Sequence, residues 1–251
     1  SLEPIAGEGP AEIGPLVARL NALLARVRSS LDGERRFTSD AAHELRTPLA
    51  ALRAQLQVAQ GAGDAASRDR AIANALLAGD RATRLVEQLL TLARVEQGAW
   101  KAAAAPFGLR QAAAEAISQR AGAAAAKRAV VSLEGEEPAT VTGHEGLAVV
   151  AIGNLVDNAI RYGPEGGAVS VRIERSGAGY AVRVADEGPG IPASRREAAL
   201  RRFTRLEGAA GEEGSGLGLS IVSRIAELHG GTLELRDGPG GRGLEAVLRL
   251  A

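Results

Sequence analysis

Phe37-Thr-Ser-Asp-Ala-Ala-His43-Glu44-Leu-Arg46-Thr47-Pro48-Leu49 sets one of only three histidines beside an acid, in a stretch whose apolar residues recur at helical spacing. On a helix His43 and Thr47 share a face, and Glu44 lies one step round. A carboxylate that holds the proton on one imidazole nitrogen leaves the other nitrogen a nucleophile near neutral pH. That nitrogen can accept a phosphoryl group. The competing reading is a surface histidine in a salt-bridged helix face. Pro48 offers no N–H to residue 44 and costs about 3 kcal/mol in a straight helix, so a bend beside the histidine is expected.

Three further groups of residues carry chemistry. In Gly153-Asn154-Leu-Val-Asp157-Asn158-Ala-Ile-Arg161-Tyr162 the two asparagines share a helix face, with Arg161 near the same end. Amide carbonyls are hard oxygen ligands suited to magnesium that also keeps water and phosphate oxygens. Asp186-Glu-Gly188-Pro-Gly190-Ile191 follows an alternating strand, and Gly214-Ser215-Gly216-Leu217-Gly218-Leu219-Ser220 opens a helix. Glycines let backbone approach a ligand, and a helix N-terminus presents free N–H groups and positive dipole to phosphate. A buried aspartate at a strand end can accept a hydrogen bond from an exocyclic amine such as that of adenine. Neither glycine run is a Rossmann fingerprint or a P-loop, because no lysine follows and the strand order is wrong. Between them Arg195, Arg196, Arg201, Arg202 and Arg205 surround Phe203. In a loop of that length such arginines read as a lid that reaches the γ-phosphate.

These residues need two kinds of scaffold. Ile13, Leu16, Leu20, Leu23 and Val27 form a 3-4-3-4 seam that runs on through Phe37, Leu45, Leu49, Leu52, Leu56 and Ala59 to a break at Gly61-Ala-Gly63. A second helix is predicted from about Ser67 to Gln97, with Ile72, Leu76, Leu85, Leu89, Leu92 and Val95 as its core face and Gly98 as C-cap. One such hairpin cannot cover its own stripe, so two copies forming a dimeric four-helix bundle are expected. After a linker from Gly98 to Pro106, the pattern predicts an alanine-rich helix from Gln111 to Lys127 and short strands at Ala129–Leu133 and Thr140–Thr142. A helix at Gly146–Tyr162 and strands at Ala168–Arg175 and Tyr180–Ala185 follow. A helix at Leu217–His229 and strands at Thr232–Arg236 and Gly243–Leu250 close the chain. Helices beside a largely hairpin-connected sheet make this half an α+β sandwich, and the whole chain multidomain.

Composition bounds the partners. The 251 residues are 45% hydrophobic, enough for two modest cores. Thirty basic and thirty acidic residues cancel, so no global field points to nucleic acid. Cysteine is absent, which excludes disulfides and thiolate metal sites. Methionine is also absent, so the chain reads as a piece of a longer protein.

In order, these residues resemble the sensor histidine kinases of two-component systems over essentially the whole chain. Phe37 to Leu49 is similar to the H box, Asn154 to Tyr162 to the N box and Asp186 to Ile191 to the G1 box. Arg202-Phe203-Thr-Arg205 is similar to a reduced F box, and Gly214 to Ser220 to the G2 box. Residues 1–33 resemble the last helix of a HAMP relay, residues 34–98 the dimerisation and histidine-phosphotransfer hairpin, 99–105 a linker, and 106–251 a Bergerat-type α/β-sandwich ATP-binding domain.

The resemblance implies that His43 is autophosphorylated from ATP, that Glu44 orients and deprotonates it, and that Thr47 positions water for dephosphorylating the partner. It implies Mg2+ on Asn158, phosphate near Asn154 and Arg161, and the base bordered by Tyr162. Asp186 would hold the adenine amine. Gly188, Gly190, Gly214, Ser215, Gly216, Leu217 and Gly218 would shape the pocket, with Arg202 and Arg205 in the lid. The implied partners are a second copy of the chain and a response-regulator aspartate. The implied setting is the cytoplasmic part of a bacterial inner-membrane protein. Three positions depart from the family pattern: Glu187 where asparagine is frequent, Leu200 where phenylalanine is frequent, and His144 where an acid is frequent. His144 and His229 read as helix-start and helix-end residues, the latter a cation opposite the helix dipole. The rival classes are a nucleotide-binding scaffold without transfer and an ATP-driven chaperone or topoisomerase. The histidine-bearing hairpin speaks against the second.

Overall fold

The computed structural model describes residues 14–96, 104–135, 137–204 and 214–251. Ile13, the Gly98 cap and Arg205 lie outside them. The chain divides into two compact units, Ser1–Val86 and Glu87–Ala251.

The first unit is built from α1 (Gly14–Gly61) and most of α2 (Ala65–Glu96). The turn at residues 62–64 is the expected break, and Asp64 Oδ1 accepts from Ser67 N at 2.8 Å, which caps the start of α2. α1 runs through position 33 without interruption and contains Pro48. Within a single chain the apolar stripes are only partly covered. Leu85, Leu92 and Val95 are buried in α2, whereas Ile72 and Leu76 are 42% and 66% exposed, as are Leu16, Leu23, Leu49 and Leu56 on α1. Heptad spacing shows that a stripe wants a partner; it does not say whether that partner belongs to the same chain.

The second unit layers helices on one face of a mixed five-stranded sheet of order β2-β4-β5-β7-β6. The strands are β2 (Val130–Gly135), β4 (Ala168–Ser176), β5 (Gly179–Ala185), β6 (Leu233–Asp237) and β7 (Leu244–Leu250). β2 and β4 are parallel and the other pairs of this sheet are antiparallel, which makes the sheet mixed. The β2–β4 crossover contains α5 (Glu145–Tyr162), which lies against β4 and β5 and is flanked by α3 (Leu109–Ser118) and α7 (Gly218–Leu228). Its Leu147, Ile152, Leu155 and Val156 are buried, as are Val171, Ile173 and Val182 of the sheet. Each such side chain contributes roughly 1.5–3 kcal/mol. The sheet's other face carries ion pairs, with Arg183 between Glu174 and Glu245 and Glu234 between Arg236 and Arg249.

Three local expectations fail for identifiable reasons. The alanine-rich helix is broken into α3 and α4 (Ala121–Ala126) at Gln119-Arg120, where Arg120 turns its guanidinium inward. The linker gives way to β1 (Ala105–Gly108), which pairs antiparallel with β3 (Thr140–Gly143) and buries Phe107. Within the long Arg- and Gly-containing loop, Ala193–Ala199 forms α6.

Candidate active site

In the first unit α1 presents His43 and Thr47 exposed, with Glu44 half-buried beside them. The exposed imidazole is accessible to a reacting group, and the adjacent acid lies one residue round the helix.

In the second unit the asparagine helix and both glycine runs converge. Asn154 Nδ2 donates to Val150 O at 2.9 Å, which leaves its carbonyl oxygen turned toward the first turn of α7. A Cβ placed on Gly218 would lie 3.2 Å from that oxygen and 3.8 Å from Asn158 Oδ1. One on Gly214 would lie 3.2 Å from Arg161 Nη1 and 3.3 Å from the Tyr162 hydroxyl. One on Gly188 would lie 2.6 Å from Tyr162 O and 3.0 Å from Asp186 Oδ1. Glycine at these positions lets three chain segments close around one locus at the start of α7. Leu217 is buried beneath it as the N-cap residue of α7.

Asp186 is only 8% exposed. Its Oδ1 accepts from Gly188 N at 2.8 Å and from Leu244 N at 3.2 Å, and neither bond uses Oδ2. Burial pushes the carboxyl above its ordinary value, and those two N–H groups pull it partly back. An acceptor of this kind suits a ligand that brings a donor.

The arginines do not form one free cluster. Arg196 donates to Ile191 O at 2.9 Å and pairs with Asp237, which ties the first glycine loop to the end of β6. Arg201 pairs with Glu197 one turn back. Arg202 pairs with Glu96. The reading of Arg196 as a lid side chain is therefore corrected: it is a brace for the loop. Phe203 takes a positive φ of 56°, and Gly216, at φ 67°, closes on its backbone, where a Cβ would meet the Phe203 carbonyl carbon at 2.7 Å. Ser215 Oγ donates to Gln88 Oε1 at 2.7 Å and accepts from Leu217 N at 3.2 Å.

Residues 34–98 match the family described as His Kinase A (phospho-acceptor) domain. Residues 143–251 match the family described as histidine kinase-, DNA gyrase B- and HSP90-like ATPase. Along its whole length the chain is 36% identical, over 259 residues, to the sensor protein BasS of Escherichia coli K12, and it covers 68% of that protein. The chain belongs to the sensor histidine kinases. It is also 42% identical over 250 residues to the sensor protein kinase PmrB of Pseudomonas aeruginosa, covering 99% of this chain and 52% of PmrB. With the sensor protein QseC of Escherichia coli K12 it shares 40% over 249 residues, 98% of this chain and 54% of QseC. The chain thus spans about half the length of these two relatives. A mycobacterial sensor histidine kinase, MprB, superposes with a TM-score of 0.51 at 28% identity over 59% of this chain and 98% of that structure. The Acinetobacter baumannii histidine kinase AdeS shares the fold, with a TM-score of 0.64 at 22% identity over 83% of this chain and 97% of that structure.

Several residues of this chain that hold the candidate site escape a motif search. Arg120 lays its guanidinium where a Cβ of Gly153 would be, at 2.3 Å, and its Nε lies 3.0 Å from Asp157, so Gly153 is small for packing. Lys127 donates to the Arg161 carbonyl at the C-terminal end of α5. Gly243, at φ 72°, backs directly on Asp186, where a Cβ would meet its carbonyl oxygen at 1.7 Å. The available signal for Gly243 is its place in a run of glycines before a strand, which by itself reads as a turn. Gly243→Ala is expected to cost about 2 kcal/mol or more, because a left-handed conformation and a backbone clash act together. Thermal denaturation followed by circular dichroism should show a fall of at least about 4 °C; an unchanged midpoint would remove Gly243 as the brace of Asp186.

Proposed function

We propose that this chain is an ATP-dependent protein-histidine kinase that phosphorylates His43 and passes the phosphoryl group to an aspartate of a separate response regulator. The observation that carries the reading is the convergence of Asn154, Asn158, Arg161, Tyr162 and Asp186 with Gly188, Gly214 and Gly218 at the start of α7. Phosphates would lie on the N–H groups of Gly216, Leu217 and Gly218 and against Arg161, with Arg202 and Arg205 closing from the lid. The adenine amine would donate to the Asp186 carboxylate, with Tyr162 and Gly190 at the pocket rim. Ser215 would exchange its bond to Gln88 for the ligand.

The donor chemistry fits magnesium carried with the triphosphate. Asn158 offers a neutral hard oxygen, and one amide beside phosphate oxygens and water is the ligand set magnesium accepts. Bound there, the ion would neutralise charge that develops on the transferring phosphates.

In the transfer step the unprotonated imidazole nitrogen of His43 attacks the γ-phosphorus and a P–N bond forms. The bond to the bridging oxygen breaks, and its electron pair leaves with ADP. Glu44 takes the proton from the other ring nitrogen, so the phosphorylated ring ends neutral. Positioning and charge neutralisation supply the rate. Thr47, one turn along, would hold water for the reverse hydrolysis on the regulator. The exposed leucines of α1 and α2 support a homodimer in which two hairpins make a four-helix bundle. No described helix is long and apolar enough to cross a membrane; a membrane-anchored parent with this piece on the cytoplasmic side belongs to the same proposal.

Asn158→Ala tests the site. With γ-labelled ATP and magnesium, the variant should label His43 at least about a hundredfold more slowly, the size of a lost group on transition-state charge. Labelling at the parent rate would remove Asn158 from the mechanism.

A further inference from the structure

His229 is the C-cap residue of α7 and is only 6% exposed, far from any motif used above. Its Nδ1 lies 2.8 Å from Ile225 O, a group that can only accept, so Nδ1 carries a proton. Its Nε2 lies 3.0 Å from the backbone N of His144, a group that can only donate, so Nε2 supplies a lone pair. The two partners together assign the neutral Nδ1–H tautomer, which replaces the expected helix-end cation.

His144 is the N-cap residue of α5. One imidazole therefore joins the last turn of the helix that carries Gly218 to the first residue of the helix that carries Asn154 and Asn158. The seat is shaped for the ring. A Cβ on Gly143 would fall 2.2 Å from its Cδ2 and 2.5 Å from its Nε2, and Phe107 meets it edge-on at 6.4 Å and 77°. Gly143 is glycine because the ring occupies that space.

We propose that His229 is a positioning residue for the nucleotide site, a latch that fixes α7 against α5 from the end remote from the phosphates. This rests on the nucleotide reading above. At the site end the two helices meet through Gly218, which has no side chain to grip Asn154 or Asn158. At the other end, eleven residues or about 16 Å away, His229 supplies the directional contact. Two fixed points set the angle between the helices; with one lost, α7 can roll about the other and carry Gly216, Leu217 and Gly218 off the phosphates. The effect falls on binding more than on the saturated transfer rate.

The test uses the full chain. In a two-bond 1H–15N spectrum of the parent, His229 should show a protonated Nδ1 and an unprotonated Nε2. His229→Phe keeps the ring's bulk and removes both hydrogen bonds. It should melt cooperatively and raise the KM for ATP roughly tenfold, the worth of two neutral hydrogen bonds, with kcat nearly unchanged. His229→Gln, whose side-chain oxygen can accept from His144 N–H, should recover part of that loss. A reversed tautomer overturns the latch even if His229→Phe does not fold. So does a parental KM in His229→Phe, or an equal loss in both variants, which would indicate packing alone. A parent that binds no fluorescent ATP analogue refutes the nucleotide reading on which the latch rests, whereas binding by the parent with unchanged binding by His229→Phe refutes the latch alone.

Discussion

His43→Gln should take up no label from γ-labelled ATP and should bind the nucleotide as tightly as the parent. The two halves of that result have separate causes. Glutamine keeps a polar, helix-compatible side chain at an exposed position of α1, so the fold has no reason to change. Its amide nitrogen donates its lone pair into the carbonyl and cannot attack phosphorus, so the transfer step loses its nucleophile and labelling falls to background. In the proposed site nucleotide binding rests on residues of the second unit, from Asn154 to Gly218, and His43 belongs to the first. Equilibrium binding of a fluorescent ATP analogue beside the labelling assay separates the halves. Labelling that persists would place the acceptor elsewhere. Lost binding would mean that His43 contributes to the nucleotide site itself.

Asp186→Asn should abolish ATP binding at micromolar concentrations while leaving a stable fold. The carbonyl oxygen of asparagine can replace Oδ1 as acceptor for Gly188 N and Leu244 N, so the loop keeps both anchors. At the position of Oδ2 the variant presents an NH2 group, which faces the adenine amine donor to donor. Loss of a charge-assisted bond costs about 1.5–3 kcal/mol and the two unpaired donors about as much again, so affinity should fall at least about a hundredfold. A ring that presents a carbonyl in place of the amine, as in inosine or guanine nucleotides, should lose much less. The pH dependence has a definite sign. Burial holds the folded carboxyl above its unfolded value, so between the two values the folded state binds more protons and stability falls as pH rises. The ionised parent therefore carries a penalty at neutral pH that asparagine removes, and the variant should melt no lower than the parent. In the parent, ATP affinity should weaken as pH falls through the raised value, because the protonated acid no longer offers an anionic acceptor. Calorimetric titration with ATP and ITP checks both; equal losses for the two nucleotides would exclude Asp186 as the base-reading group.

The sequence was most legible where residue type is restrictive. Asn154 and Asn158, the aspartate at the end of β5 and the glycines that open α7 each need a specific chemistry or backbone, and the structure brings them together. It was least legible where a common residue has a long-range partner. Alanines hid the break at Gln119-Arg120, because the break follows from Arg120 reaching Gly153 and Asp157 on α5. A four-residue strand with a proline gave β1 no alternating signal; only its pairing with β3 makes it a strand. Arg196 looked like its neighbours because charge alone does not distinguish an arginine aimed at a ligand from one that holds Ile191 and Asp237. Ile72 and Leu76 carried the right period for burial, yet period does not identify which copy of the chain covers them. Gly243 and His229 belong to the same class: their positions at a strand start and at a helix end were readable, and the backbones they press against were not.

The central claim is that the phosphoryl group from ATP resides on a histidine nitrogen, and the chemical stability of the labelled bond tests it most directly. The chain is incubated with γ-labelled ATP and magnesium, freed of nucleotide, and divided between strong acid and strong base. A phosphoramidate on His43 is lost in acid and kept in base. Label that survives acid is an ester of serine, threonine or tyrosine, and that result would contradict the account.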